Sequence, residues 1–124
     1  MRQCLRLTWR TADCHQKLNH LVPGGYMFRR LTEADGALVS LTINGVTCDG
    51  RAGDSVAALL LEKGYAACRT SAVSGKPRGP YCMMGVCFEC LVEIDGVANR
   101  QACMLQIAEG MDVKTGTGRR RVTP

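Results

Sequence analysis

Eight cysteines stand in the 124-residue chain, and four of them are spaced as a ligand set: Cys82-x4-Cys87-x2-Cys90-x12-Cys103. Cys82, Cys87 and Cys90 lie too close together to pair comfortably with one another as disulfides, whereas clustered thiolates suit metal ligation. The first three match the plant-type spacing C-x4-C-x2-C of [2Fe–2S] sites, in which a fourth cysteine comes later in the chain. That chemistry asks four thiolates to surround two irons, so a loop carrying three of them must wrap closely around the inorganic sulfides. Gly85, between Cys82 and Cys87, suits such a close backbone approach. The N–H groups of Met83–Val86 are then free to point at sulfur, where they stabilise added negative charge and raise the potential. Met83, Met84, Val86 and Phe88 are expected to form an apolar cover that limits water. A zinc site is the bland alternative. Cys87-x2-Cys90 makes one knuckle, but zinc sites usually use two such pairs, and Cys82 and Cys103 do not form a second.

The other motifs read as ordinary structure. Cys48 lies on the inward side of its strand with Val46, and Cys68 is expected to be core in the same way. Cys4 and Cys14 fall in an N-terminal stretch unlike the rest; Cys14-His15 lacks the partner cysteine of a haem attachment motif. His15 and His20 read as solvent histidines. Gly116-x-Gly118 has no third glycine and no following helix, and Gly75-Lys76-Pro77 is no phosphate loop, so no flavin or nicotinamide site is read on this chain. Arg69, Lys76 and Arg78 precede the cysteine loop. They are expected to be a solvated loop face, the functional alternative being that they offset cluster charge or dock a partner. Arg119-Arg120-Arg121 reads as a solvated tail.

The elements that must position the cysteines follow from periodicity. Val39, Leu41 and Ile43 alternate with Ser40 and Thr42 as a half-buried strand does. Asn44-Gly45 is a type I′ turn signal, returning Val46-Thr47-Cys48 as the second strand of a hairpin. Asp54 is expected to cap a helix with Val56, Leu59 and Leu60 on one face and Gly64 at its C-terminus. Tyr65–Arg69 is expected to be a third strand and residues 74–90 a loop. Cys90–Asp95 alternates again, Asp95-Gly96 turns, Val97–Cys103 pairs back, and Met111–Thr115 is a last strand. Hairpin, helix, strand, loop, hairpin, strand is the order of an α+β β-grasp domain of the [2Fe–2S] ferredoxin-like kind: a mixed sheet with one main helix across it.

Composition narrows the function. A mass of 13.4 kDa suits one small domain. The longest apolar run outside the cysteine-rich segment is Val56–Leu61, far short of the roughly 20 residues a membrane helix needs, so direct membrane insertion is not expected. The net charge is +5, but residues 1–26 carry four basic residues against Asp13, leaving twelve against ten in the remainder. A nearly neutral body with 5% aromatics offers neither the field nor the stacking surface of a nucleic-acid binder. Residues 1–26 are expected to be a flexible extension, or the product of a start codon assigned upstream of Met27; residues 27–115 are the expected domain and 116–124 a basic tail. The N-terminus shows no apolar signal core, and eight cysteines are too sparse for a typical disulfide scaffold, with Cys82, Cys87 and Cys90 clustered, so a reducing cytoplasm is the expected compartment.

The segments Arg78-Gly79-Pro80-Tyr81-Cys82-Met83-Met84-Gly85-Val86-Cys87-Phe88-Glu89-Cys90 and Asp95-Gly96-Val97-Ala98-Asn99-Arg100-Gln101-Ala102-Cys103 resemble the small [2Fe–2S] subunits of bacterial multi-subunit FAD-dependent amine and imino-acid dehydrogenases. D-hydroxyproline dehydrogenase, opine oxidase and hydrogen cyanide synthase are of this kind. The same segments are similar to the N-terminal region of the sarcosine oxidase alpha subunit. The resemblance spans about residues 27–115 and implies that Cys82, Cys87, Cys90 and Cys103 hold a [2Fe–2S] cluster. It further implies a hetero-oligomer with one or more FAD-dependent oxidoreductase subunits and a one-electron relay role without catalysis by this chain. Photosynthetic ferredoxins place the fourth cysteine much further on and are strongly acidic. Small subunits of molybdenum hydroxylases carry four more cysteines in a second domain, whereas none follows Cys103 here. A free-standing ferredoxin serving an oxygenase or reductase and a zinc-bound structural adaptor are the alternatives.

Overall fold

The computed structural model describes residues 36–116 together with Phe28 and Leu31. The expectations for residues 1–26, for Cys4, Cys14, His15 and His20, and for the arginines of the tail lie outside the described residues.

Seven strands and one helix are described. They are β1 (Leu38–Ile43), β2 (Val46–Arg51), α1 (Val56–Glu62), β3 (Arg69–Thr70), β4 (Pro77–Arg78), β5 (Leu91–Ile94), β6 (Val97–Gln101) and β7 (Asp112–Lys114). Five strands form one sheet in the order β2-β1-β7-β5-β6, with β3 and β4 in a separate two-stranded sheet. The β1–β7 pairing is parallel and the other pairings of the large sheet are antiparallel. Both hairpin turns have left-handed backbone at two successive residues, Asn44 with Gly45 and Asp95 with Gly96. That is the type I′ geometry expected from Asn-Gly and Asp-Gly.

The helix begins one residue later than expected. Ser55, not Asp54, is the N-cap: its backbone is extended and its hydroxyl accepts the Ala58 N–H at 3.1 Å. A hydroxyl in that position satisfies one of the orphan amides of the first turn. Replacing Ser55 by Ala should therefore cost about 1 kcal/mol of unfolding free energy, read as a lowered midpoint in urea denaturation. At the other end Gly64 adopts φ +88. The Gly64 N–H donates to Leu61 O at 3.1 Å and the Tyr65 N–H to Leu60 O at 2.8 Å. This pair of bonds is a Schellman motif, which turns the chain out of the helix.

Val56, Leu59 and Leu60 of α1 share one core with Leu41, Ile43, Val92, Ile94 and Val113 of the sheet. Each fully buried aliphatic side chain there contributes on the order of 1.5–3 kcal/mol. Gly50 of β2 is fitted to that packing. A Cβ on it would lie 2.5 Å from Ile107 Cδ1 and 3.1 Å from Leu59 Cδ1, closer than real side chains pack.

Two expectations need correction. The strand expected over Tyr65–Arg69 is only Arg69–Thr70, and it pairs with Pro77–Arg78 inside the stretch expected to be a loop. The cause is tertiary. The Schellman turn directs Tyr65–Cys68 away from the large sheet, and Cys68 N–H then donates to Arg78 O at 2.8 Å, while Gly116 N–H donates to Cys68 O at 2.9 Å. No helix among the described residues is long and apolar enough to cross a membrane.

Candidate iron–sulfur site

The β5–β6 hairpin explains the twelve-residue gap between the last two cysteines. Cys90 immediately precedes β5, and Leu91 is registered against Gln101, the last residue of β6. A strand, a two-residue turn and the return strand therefore carry the chain back so that Cys103 stands beside Cys90. The Ala102 N–H donates to Cys90 O at 3.0 Å, and the Cys103 N–H points at Cys90 Sγ at 3.4 Å. The start of α1 fixes this corner from the other side. Val56 N–H donates to Leu105 O at 2.8 Å and Ala57 N–H to Ala102 O at 2.9 Å. Orphan amides of the helix terminus are thus satisfied by carbonyls on either side of Cys103.

Cys82 and Cys87 lie on the loop that connects β4 to this hairpin. The loop folds back tightly: Met83 (φ 56), Gly85 (φ 84) and Phe88 (φ 54) are all left-handed. Non-glycine residues hold such conformations only when surroundings impose them. The result is a nest of N–H groups around sulfur. Met84 N–H points at Cys82 Sγ at 3.4 Å and Glu89 N–H at Cys87 Sγ at 3.5 Å. The Cys82 thiol is pulled down to about 6, first by the Met84 N–H and then, against some desolvation, by the Val86 and Cys87 N–H groups and the Cys87 thiol. Cys82 is therefore mostly thiolate at neutral pH, the form that binds metal. Cys103 is pushed the other way, chiefly by desolvation and then by its hydrogen bond with Cys90 and the charges of Cys90 and Cys82, with the Gly85 N–H working against the rise. Gln101 Nε2 donates to Gly85 O at 2.9 Å and so ties the loop to the hairpin. Nothing in the sequence marks Gln101 for that task, because the contact exists only once the loop has folded back.

Cys82 interacts with Cys87 across the loop and Cys103 with Cys90 at the base of the hairpin, and Cys103 also feels the charge of Cys82. Among the described residues, no three His, Cys, Asp or Glu side chains converge tightly enough for one metal ion. Two neighbouring pairs suit a binuclear group, in which each metal takes two protein thiolates, and the surrounding N–H groups suit its negative charge.

Other side chains depart from expectation. Met83, Met84, Val86 and Phe88 point outward and stay between 42% and 69% exposed, so the apolar cover is open to solvent instead of closed. Arg69 is not a solvated side chain. It is 16% exposed and lies 3.8 Å from Glu89, which Arg78 also approaches at 3.9 Å. Cys48 and Cys68 are both buried in the core, as expected. The Cys68 thiol is pushed up to about 12, first by desolvation and then by the charge of Cys90, with Arg69 opposing. Cys68 is thus a neutral thiol beside the site. Cys68→Ala should retain the full visible spectrum of the loaded protein, and bleaching in that variant would mean that a ligand had been misassigned.

The same conclusion is reached by comparison with known proteins. Residues 36–118 match the 2Fe-2S iron-sulfur cluster binding domain. Hydrogen cyanide synthase subunit HcnA of Pseudomonas aeruginosa is 33% identical over 100 residues, covering 81% of this chain and 92% of that protein. The HcnA of Pseudomonas protegens is 33% identical over 81 residues, covering 65% and 76%. The crystal structure of L-proline dehydrogenase from P. horikoshii shares the fold at 20% identity with a TM-score of 0.59, over 73% of this chain. The chain spans only 19% of that dehydrogenase. A β-grasp domain with two cysteines on a tight loop and two at the base of the adjoining hairpin, matched over most of its length, makes this chain a [2Fe–2S] protein and a member of the 2Fe-2S iron-sulfur cluster binding domain family, related to the HcnA subunits.

Proposed function

We propose that this chain is the electron-relay subunit of an FAD-dependent amine or imino-acid dehydrogenase complex of the cytoplasm, and that Cys82, Cys87, Cys90 and Cys103 hold its cluster. The two thiol pairs carry the ligand assignment, with Cys82 and Cys87 on one iron and Cys90 and Cys103 on the other. When bound, the cluster accepts and releases one electron at a time, whereas oxidation of an amine delivers two electrons to a flavin. Two relay events therefore follow each substrate oxidation.

The chain's own residues have three tasks in this account. The loop amides hold negative charge at sulfur. The hairpin keeps Cys103 beside Cys90. The exposed apolar rim, Tyr81, Met83, Met84, Val86, Phe88 and Met104, offers a partner a surface that excludes water around the electron path. Exposed apolar side chains gathered along one short loop of a small domain support an interaction site there. The likeness to HcnA, named as a subunit of a synthase, supports assembly with other chains.

The test is co-expression of the tagged chain with FAD-binding oxidoreductase subunits encoded beside it. The expected result is co-elution of FAD with this chain and bleaching of the cluster absorption when an amine or imino-acid substrate is added. A stable monomer that takes no electrons from such a flavoprotein, yet turns over with an oxygenase, would overturn the proposal in favour of a free-standing ferredoxin.

A further inference from the structure

Arg69 opens β3 and is registered against Arg78 of β4. Both side chains turn toward a single carboxylate oxygen, Glu89 Oε2, Arg69 Nη2 at 3.8 Å and Arg78 Nε at 3.9 Å. Neither contact is a hydrogen bond at that distance. Two guanidinium groups thus share one carboxylate, which leaves one positive charge uncompensated. Arg78 is 46% exposed, but Arg69 is only 16% exposed. The Arg69 Nε is buried and finds no hydrogen-bond partner among the described residues. A largely covered guanidinium with half a counter-ion gains from any further negative charge near it.

The contacts of Arg69 show which part of the cysteine loop its charge lies against. Arg69 Nη2 donates to Phe88 O at 3.4 Å. Phe88 and Glu89 are the two residues between Cys87 and Cys90, and Phe88 holds a left-handed backbone. Arg69 therefore holds the tight turn between Cys87 and Cys90. Its positive charge therefore lies beside the turn between Cys87 and Cys90.

We infer that Arg69 is the internal counter-charge of the cluster and the tether of its ligand turn, a positioning residue that raises the reduction potential. The inference rests on the ligand assignment proposed above and not on the identity of the partner. Reduction adds one electron, supplied by the electrode, and with no proton taken up the cluster gains one negative charge. A fixed positive charge favours that product, and the adjacent Glu89 carboxylate disfavours it. The two neighbours must therefore act with opposite signs.

The experiment is spectroelectrochemical titration of the loaded full-length protein and its Arg69→Gln, Arg69→Lys and Glu89→Gln variants, with iron and sulfide measured in each. Arg69→Gln should lower the reduced-to-oxidised ratio about tenfold at fixed ambient potential, a shift of ~59 mV for a one-electron couple. Glu89→Gln should raise the ratio. Arg69→Lys keeps the charge without the planar fork, so its ratio should stay within about threefold of the parent while cluster loss on standing accelerates. If Arg69→Gln fails to retain a cluster, the sign of the Glu89→Gln shift decides. Equal potentials in all loaded variants, or shifts of Arg69→Gln and Glu89→Gln in the same direction, would overturn the inference. Absence of iron and sulfide from the parent protein would instead overturn the ligand assignment beneath it.

Discussion

Cys87→Ser is expected to remove the visible cluster absorption altogether while leaving a folded domain. Cys87 sits at the hinge of the ligand set. It contacts Cys82 across the loop, and its sulfur accepts the Glu89 N–H at 3.5 Å, immediately before the left-handed turn at Phe88. A hydroxyl is a hard, weakly acidic donor where a soft thiolate is needed, so under the proposed assignment one iron would lose half of its protein ligands. The core offers no remedy nearby, because Cys68 is held as a neutral buried thiol. The check is absorption between the near ultraviolet and the red, alongside circular dichroism to establish that the fold persists. A variant retaining the parent spectrum would show that Cys87 is not a ligand.

Gly79→Ala is expected to be the most damaging glycine-to-alanine change among the described residues. A Cβ at Gly79 would overlap the carbonyl oxygen of Ala66 and stand 3.1 Å from its carbonyl carbon. These are backbone atoms, so no rotamer change relieves the clash. The two segments are also held together by the Cys68 N–H to Arg78 O bond at 2.8 Å. Separation would break that bond, move Arg78 and displace the chain three residues ahead of Cys82. The cost should exceed the roughly 1–3 kcal/mol of ordinary overpacking, with cluster content falling alongside stability. Gly96→Ala makes the comparison. Gly96 has φ +80 with nothing within 4 Å of its Cβ position, so only the left-handed strain of roughly 1–2 kcal/mol should appear and the cluster should remain. Equal behaviour of the two variants in thermal unfolding would contradict this account of Gly79.

The features legible in the sequence were those specified by neighbours along the chain. Asn44-Gly45 and Asp95-Gly96 encode their turns locally, because both turn positions need left-handed backbone and these residues tolerate it. Alternation in Val39–Ile43 displays the buried face directly, whereas in β5 the adjacent Leu91 and Val92 are both buried. The four cysteines could be grouped by spacing because a ligand loop and a hairpin have fixed lengths; twelve residues between Cys90 and Cys103 is the length of one strand, one turn and its return. What escaped depends on contacts between distant segments. The shift of the cap from Asp54 to Ser55 follows from where residues 102–107 meet the helix start. The two-residue β3–β4 pairing has no periodicity to detect, and its strands form because Cys68 is pinned between Arg78 and Gly116. Arg69 is charged and precedes a polar loop, which in sequence is indistinguishable from a solvated side chain. Only the tertiary structure places it under the turn at Phe88.

The central claim is that this chain holds a [2Fe–2S] cluster on Cys82, Cys87, Cys90 and Cys103 and uses it to carry single electrons. Its most direct test is anaerobic purification followed by metal and acid-labile sulfide analysis, with EPR of the dithionite-reduced protein. The account predicts two irons and two sulfides per chain, a rhombic signal on reduction, and loss of both on replacement of any of the four cysteines. One zinc per chain with no sulfide and no EPR signal would contradict it, leaving a structural module in place of an electron carrier.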